Sequence, residues 1–97
     1  MFEVYWTAEA SANYSSLKDN PAHLKPYKAV RKSTQLLVAD PRHPGLQTHE
    51  YRSVKGPAGE KIFEAYAEQG TPAAYRIFWY YGPSKGMITI VAIPPHP

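Results

Sequence analysis

The amino-acid sequence predicts an α+β protein in which two N-terminal helices pack on one face of a small antiparallel β-sheet. Three observations predict this class. Segments with helical periodicity come early in the chain, β-branched and aromatic segments come late, and the late segments are joined by short connections. Strands joined by short turns pair in antiparallel fashion, and helices grouped apart from them cover one face of the sheet. The other face is then left open.

Size and composition set the first limits. The 97 residues, 43% hydrophobic and 20% charged, fit a single domain over residues 1–97 with one core. The absence of cysteine excludes disulfides and thiolate catalysis. The first residues lack the pattern of a signal peptide, and no apolar run approaches the ~20 residues of a membrane helix, so we expect a cytoplasmic protein. A net charge of +3 permits contact with a polyanion without requiring it.

The first strand and first helix follow from local signals. Residues 2–6, FEVYW, are β-branched and aromatic, which is typical of a strand. Thr7 then provides a helix cap, and Glu9 falls in the first turn, where the helix dipole favours a carboxylate. Tyr14 and Leu17, three residues apart, form part of an apolar stripe. We expect this helix to end near Asp19.

Prolines define the predicted limits of the second helix. Either a short turn spans residues 21–25 and the helix begins near Pro26, or one kinked helix runs through both prolines. The first alternative is favoured, because proline is accepted at the first position of a helix. Asp40-Pro41 is predicted to end the helix. The apolar stripe that defines it consists of Tyr27, Val30, Thr34 and Leu37.

The second half of the chain reads as strands separated by turns. Residues 41–46 form a loop, residues 47–54 fit a short edge strand, and residues 55–59 form a turn. The remaining strands are predicted at residues 61–67, 74–81 and 87–93.

The segment AYRIFWYY has two different faces. Strand alternation places Tyr75, Ile77, Trp79 and Tyr81 on one face, which resembles a core, and Arg76, Phe78 and Tyr80 on the other. A guanidinium beside two aromatic rings suits phosphate contact and base stacking. The alternative is structural, with Arg76 stacked on Tyr80 and paired with Glu64 of the next strand.

Histidines and charged residues supply further candidates. His96 follows two prolines that restrict the backbone, and an imidazole transfers protons near neutral pH; the alternative is an ordinary disordered terminus. His23, His43 and His49 lack metal-ligand spacing, so no metal site and no cofactor are predicted. Glu60 and Glu64 are expected to share a strand face, as a base or as salt-bridge partners. A basic helix face, either solvated or contacting RNA or an acidic partner, consists of Lys25, Lys28, Arg31 and Lys32.

The order of these elements resembles the RelE/ParE toxin superfamily of bacterial toxin–antitoxin systems. A strand and two helices are followed by KIFEAYA, then AYRIFWYY, then MITIVAIPPHP. Members of this family carry an arginine among alternating hydrophobic residues in the third strand, as at Arg76. They also carry a β-branched last strand that leads to a basic or histidine residue, as at His96. The resemblance implies the same α+β fold.

The resemblance also implies a function. RelE-like and YoeB-like members cleave mRNA on the ribosome without a metal, ParE-like members inhibit DNA gyrase, and a cognate antitoxin restrains both. The terminal histidine favours the nuclease branch, since a general acid has no purpose in gyrase inhibition. The implied catalytic residues are Arg76 on the phosphate, His96 as general acid, Lys55, and Glu60 as base. The resemblance also makes Tyr80 a stacking residue, and the predicted substrate contacts are Phe78 and Tyr80 of the strand with Lys28 and Lys32 of the basic helix face.

Two alternatives remain. The family pattern has a basic side chain in the second strand, where this chain reads Glu64-Ala65-Tyr66. A non-catalytic gyrase inhibitor, or an inactive relative that only binds a protein partner, would not need that cation.

Overall fold

The structure, a computed structural model, describes residues 1–71 and 73–95. Short 3-10 helices at Pro21–His23 and Pro44–Leu46 precede α2 and β2. The remaining elements, in chain order, are β1 (Glu3–Trp6), α1 (Ala8–Asp19), α2 (Leu24–Ala39), β2 (His49–Lys55), β3 (Lys61–Tyr66), β4 (Arg76–Tyr81) and β5 (Met87–Ala92).

The five strands form one sheet in the order β1-β5-β4-β3-β2. The pairings of β2 with β3, β3 with β4 and β4 with β5 are antiparallel. β1 lies parallel to β5, with Glu3 opposite Met87 and Trp6 opposite Ile90. The predicted fold class is therefore confirmed, and the sheet gains one parallel edge because α1 and α2 carry the chain across its face.

Both predicted helices are present. Thr7 caps α1: its Oγ1 accepts a hydrogen bond from the Ala10 N–H (3.0 Å) and donates one to the Val91 carbonyl (2.6 Å). The predicted turn at residues 21–25 is a 3-10 helix, and α2 begins at Leu24, two residues earlier than expected. Pro26 is then the third helical residue, where a missing N–H costs little because first-turn N–H groups have no intrahelical acceptor.

The core lies between the two helices and the sheet. Its fully buried side chains include Val30 and Leu37 of α2, and it is completed by Ile77, Trp79, Ile88 and Ile90 of the sheet. The sequence predicted that Tyr81 belongs to this core. In the structure Tyr81 is 41% exposed, so that prediction was wrong. Within the described residues, no helix is long and apolar enough to cross a membrane.

Candidate active site

The face of the sheet opposite the helices carries the predicted site residues of β4. Ile77 and Trp79 point toward the helices and are buried. Alternation therefore directs Arg76, Phe78 and Tyr80 to the other face, as the sequence predicted. We call this surface the open face. Tyr80 is only 7% exposed there, so its ring forms the floor of the open face.

Three ionisable side chains meet on the open face. Glu64 of β3 stands opposite His49 of β2 in the strand register, and Arg76 of β4 stands opposite Tyr66. One carboxylate oxygen of Glu64 lies 2.6 Å from His49 Nε2, and the other accepts a hydrogen bond from Arg76 Nη1. We call His49, Glu64 and Arg76 the charged cluster. The alternative considered for Arg76, pairing with Glu64, is thus observed.

Burial differs sharply within the charged cluster. The side chain of Glu64 is 4% exposed, that of Arg76 14%, and that of His49 50%. A buried carboxylate is stable only when it is paired and hydrogen-bonded, and both oxygens of Glu64 are. The Arg76 guanidinium also lies 5.0 Å from the centre of the Phe78 ring, a cation–π contact. The stacking partner of Arg76 is therefore Phe78, and the expected stack on Tyr80 was wrong.

The imidazole of His49 is held between two acceptors. Nε2 faces Glu64, and Nδ1 lies 3.4 Å from the carbonyl oxygen of Gln47. When the ring is neutral with its proton on Nε2, Nδ1 carries the lone pair and can accept a proton. The resulting imidazolium donates to both oxygens. The cluster therefore offers an exposed proton-transfer group oriented by a buried carboxylate.

A groove of about 390 Å³ lies on the open face, and its lining residue Phe78, which contacts Arg76, connects it to the charged cluster. It brings together three predicted site residues, Lys55, Phe78 and Tyr80, with Ile62 and Val91 as apolar walls. The half-exposed Lys55 has its Nζ 3.8 Å from Glu50 Oε2, a long surface pair that leaves the amine free to move. The groove thus combines aromatic rings with a cation at its rim.

Glu60 lies just before the first residue of β3 and beside Gly56, which lines this groove. Its Oε1 accepts a hydrogen bond from the Ala58 N–H at 2.9 Å, which fixes the turn between β2 and β3. A Cβ added to Gly56 would come within 2.4 Å of the same oxygen, so a larger residue there would displace the Glu60 side chain. The expectation that Glu60 and Glu64 share a strand face was wrong, because Glu60 belongs to the turn.

Two other predicted contacts are distant from the open face. Lys28 and Lys32 lie on α2 and line a shallow surface depression with Arg31 and Gln35. Because α2 covers the opposite face of the sheet, the structure does not bring these lysines together with Phe78 and Tyr80.

The prediction for His96 lies outside the described residues. The chain that precedes it runs beside β4, where the Pro94 carbonyl accepts a hydrogen bond from the Arg76 N–H (3.0 Å) and Pro95 pairs with Tyr75. The described chain therefore ends next to Arg76.

Sequence reasoning gave His49 no role beyond excluding it as a metal ligand, and it offered Glu64 as a base or a salt-bridge partner without naming His49 as its neighbour. The available signal was the pairing register. Once β2 and β3 are recognised as an antiparallel pair, a histidine and a glutamate at matched positions meet across the strands. Among the described residues, no group of three or more histidine, aspartate or glutamate side chains could hold a metal ion.

Comparison with known proteins identifies the fold. No family model and no curated protein matches the sequence. Among solved structures, a YoeB/ParE toxin from Agrobacterium tumefaciens aligns over 98% of this chain and 99% of its own, with a TM-score of 0.69 at 10% identity. The RelE–RelB complex from Pyrococcus horikoshii OT3 aligns over 97% and 93% (TM-score 0.64, 14% identity). The E. coli DinJ–YafQ complex aligns over 99% and 94% (TM-score 0.69, 9% identity). The RelE/YoeB-like fold implied by the sequence is confirmed.

Proposed function

We propose that this chain is the toxin of a toxin–antitoxin pair and that it cleaves mRNA on the open face of its sheet. The solved proteins of the same fold include a YoeB/ParE toxin and an intact RelBE toxin–antitoxin complex. The observation that carries the proposal is the charged cluster of His49, Glu64 and Arg76 beside a groove with two aromatic rings and a lysine. A cognate antitoxin is the proposed protein partner.

The proposed reaction is cleavage by the neighbouring 2′-hydroxyl. The 2′-oxygen attacks phosphorus while a base takes its proton, and the bond from phosphorus to the 5′-oxygen breaks as an acid protonates that oxygen. The products are a 2′,3′-cyclic phosphate and a 5′-hydroxyl. Cations that stabilise the extra negative charge on the phosphorane lower the barrier.

The geometry supports His49 as the base. Its ring is half-exposed, and the buried Glu64 orients it through Nε2; Nδ1 would take the 2′-hydroxyl proton, and the imidazolium formed would donate to the nearby Gln47 carbonyl. Glu60, the base expected from the resemblance, already accepts a backbone hydrogen bond in the turn. His49 is therefore the stronger candidate.

The other roles follow the sequence prediction. Arg76 uses one Nη1 hydrogen bond on Glu64 and its Nε is buried, so the remaining Nη donors are the ones proposed to contact a phosphate oxygen. Lys55 at the groove rim supplies a second cation. His96 is proposed as the general acid on its resemblance to terminal histidines of YoeB-like toxins.

The groove also supports the ribosome as the place where the substrate is presented. A volume of about 390 Å³ holds roughly one nucleotide, with its base against Phe78 and Tyr80. So small a contact gives little affinity for a free RNA strand. We therefore propose that the ribosome holds the message while the open face engages one nucleotide.

One observation favours a non-catalytic alternative. The pair of Glu64 and Arg76 is buried and forms without any substrate, as a purely structural ion pair would. A gyrase inhibitor or an inactive relative that only binds a partner would retain such a pair for stability.

Cell-free translation separates these functions. We expect the chain to cleave message during translation, and His49→Gln, Arg76→Gln and His96→Ala to lower the cleavage rate by at least tenfold each. The matched control is His43→Asn, because His43 lies in the loop before β2, where its Nδ1 accepts from the Gly45 N–H. Equal cleavage by His49→Gln and His43→Asn would exclude His49 as the base. Inhibition of gyrase supercoiling without message cleavage would establish the gyrase-type alternative. If the chain neither cleaves message nor inhibits gyrase, the inactive relative that only binds a partner is the remaining interpretation.

A further inference from the structure

The positive charge of the chain is concentrated on one helix. Four of the eleven basic residues lie between positions 25 and 32, where there is no acidic residue. The rest of the chain then carries seven basic and eight acidic residues, so its charge is slightly negative. The whole positive excess therefore belongs to α2, which has no acidic residue anywhere in Leu24–Ala39.

These basic side chains form one stripe on the outer side of α2. Lys25, Lys28 and Lys32 recur at the i, i+3 and i+7 spacing that aligns residues along one side of a helix. Val30 and Leu37 point into the core from the opposite side. All four basic residues of the stripe, including Arg31, are exposed, and none forms an ion pair with any described residue. We call this surface the basic stripe.

We propose that the basic stripe is a second RNA-binding surface, which grips the phosphate backbone of a structured RNA on the side of the molecule away from the groove. The proposal extends the proposed function, and binding at the stripe does not require cleavage. It gives Lys28 and Lys32 a different role from the substrate contact predicted for them, because the sheet separates them from Phe78 and Tyr80.

The dimensions of the stripe suit a duplex. At 1.5 Å rise per residue, Lys25 and Lys32 are about 10 Å apart along the helix axis. B-form DNA carries about one phosphate charge per 1.7 Å of axis over both strands, so about six phosphates lie within 10 Å of a duplex of similar charge density, and the stripe faces part of them. Four cations that pair with no described residue are enough over that length to displace several counterions and to bind without reading sequence.

The chemistry of the stripe favours RNA over an acidic protein. Protein interfaces are built on apolar and aromatic anchors and are depleted in lysine. The depression on the stripe is lined only by Lys28, Arg31, Lys32 and Gln35. The exposed large apolar residue of α2 is Leu24, at the first position of the helix. A surface of long cations without an apolar centre fits a polyanion that binds through its charge.

Anisotropy measurements with a 2′-O-methyl RNA hairpin test the proposal. Such RNA lacks the attacking hydroxyl, so binding is read apart from cleavage. We compare Lys25→Gln/Lys28→Gln/Lys32→Gln with a control of equal charge change, Arg52→Gln/Lys61→Gln/Lys85→Gln, which alters exposed residues elsewhere. Glutamine keeps the helix propensity of lysine, so α2 stays intact.

The stripe variant should bind roughly 100-fold more weakly at 0.1 M salt, and the slope of log K against log salt should fall by about 2 to 3, as expected for three lost phosphate contacts. The control should change little. Equal losses in both variants, or none in either, would overturn the proposal. Unchanged RNA binding with lost binding to a poly-glutamate peptide would assign the stripe to an acidic protein instead. Full binding by the cleavage variant His49→Gln would confirm that the stripe acts independently, even if the intact chain cleaves no RNA.

Discussion

Replacing Glu64 by glutamine tests the central feature of the open face, the buried pairing of one carboxylate with Arg76 and His49. Glutamine keeps the shape of the side chain and removes its charge, so the Arg76 guanidinium is left without a compensating partner. Breaking a buried pair costs roughly 3–5 kcal/mol. Arg76 keeps 14% of its surface in water, and the amide oxygen still accepts one hydrogen bond. We therefore expect the lower end, about 3 kcal/mol.

For a chain of this size each kcal/mol corresponds to roughly 4–8 °C, so the melting temperature should fall by about 12–24 °C. Urea unfolding followed by the fluorescence of the buried Trp79 measures the free energy directly. The matched control is Glu50→Gln, because Glu50 faces Arg52 at 3.7 Å on the surface, where a pair contributes less than about 1 kcal/mol.

A double variant completes the test. Glu64→Leu/Arg76→Met removes both charges and fills their space with apolar groups, which is often neutral for a buried pair. We expect it to be within about 1 kcal/mol of the parent chain, although each single change is costly. Additive losses in the double variant, or equal losses for Glu64→Gln and Glu50→Gln, would refute the description of this cluster as a compensated buried charge pair.

Three further predictions use the same unfolding measurements and one titration. Thr7→Ala should cost about 1–2 kcal/mol, because it removes the cap of α1 and the hydrogen bond to Val91, whereas Thr7→Ser should retain most of the stability. Leu37→Ala should cost about 2–5 kcal/mol, since Leu37 is fully buried; a loss below 1 kcal/mol would contradict its place in the core. Burial, followed by the neighbouring Tyr27, raises the pKa of Tyr14 to about 12. An absorbance titration should therefore show one tyrosine that ionises at higher pH than an ordinary tyrosine, and this step should be missing in Tyr14→Phe. The contribution of neutral Tyr14 to the free energy of unfolding should be complete below pH 10 and lost as the pH rises from about 10 to about 12.

Local signals made most of the elements predictable. The Thr7 cap, the stripe of α2 and the alternation in β4 each depend on residues within one turn or one strand, so they can be read without the fold. The start of α2 was misplaced because Pro26 is equally tolerated at the first and third helical positions. The parallel pairing of β1 with β5 was not predicted, since it joins segments more than 80 residues apart and leaves no local pattern.

The site was harder to predict than the fold. The face of β4 that carries Arg76 followed from alternation, but its partners depend on the register between three strands. His49 becomes a candidate only when it stands opposite Glu64, and one residue of slippage would turn it to the other face. Lys28 and Lys32 were predicted as substrate contacts because of their charge, together with Phe78 and Tyr80. That α2 lies on one face of the sheet and these two rings on the other could be learned only from the three-dimensional structure.

The parallel edge has a consequence for how the molecule is made on the ribosome. β5 lies between β1 and β4, and Thr7 at the start of α1 is tied to Val91 near the end of the chain. β1 therefore cannot pair until β5 has been synthesised, and contacts between segments so distant in sequence form slowly. Until β5 has emerged, β1 and β4 both lack their neighbour, so the sheet and its open face cannot be complete before β5 has been made.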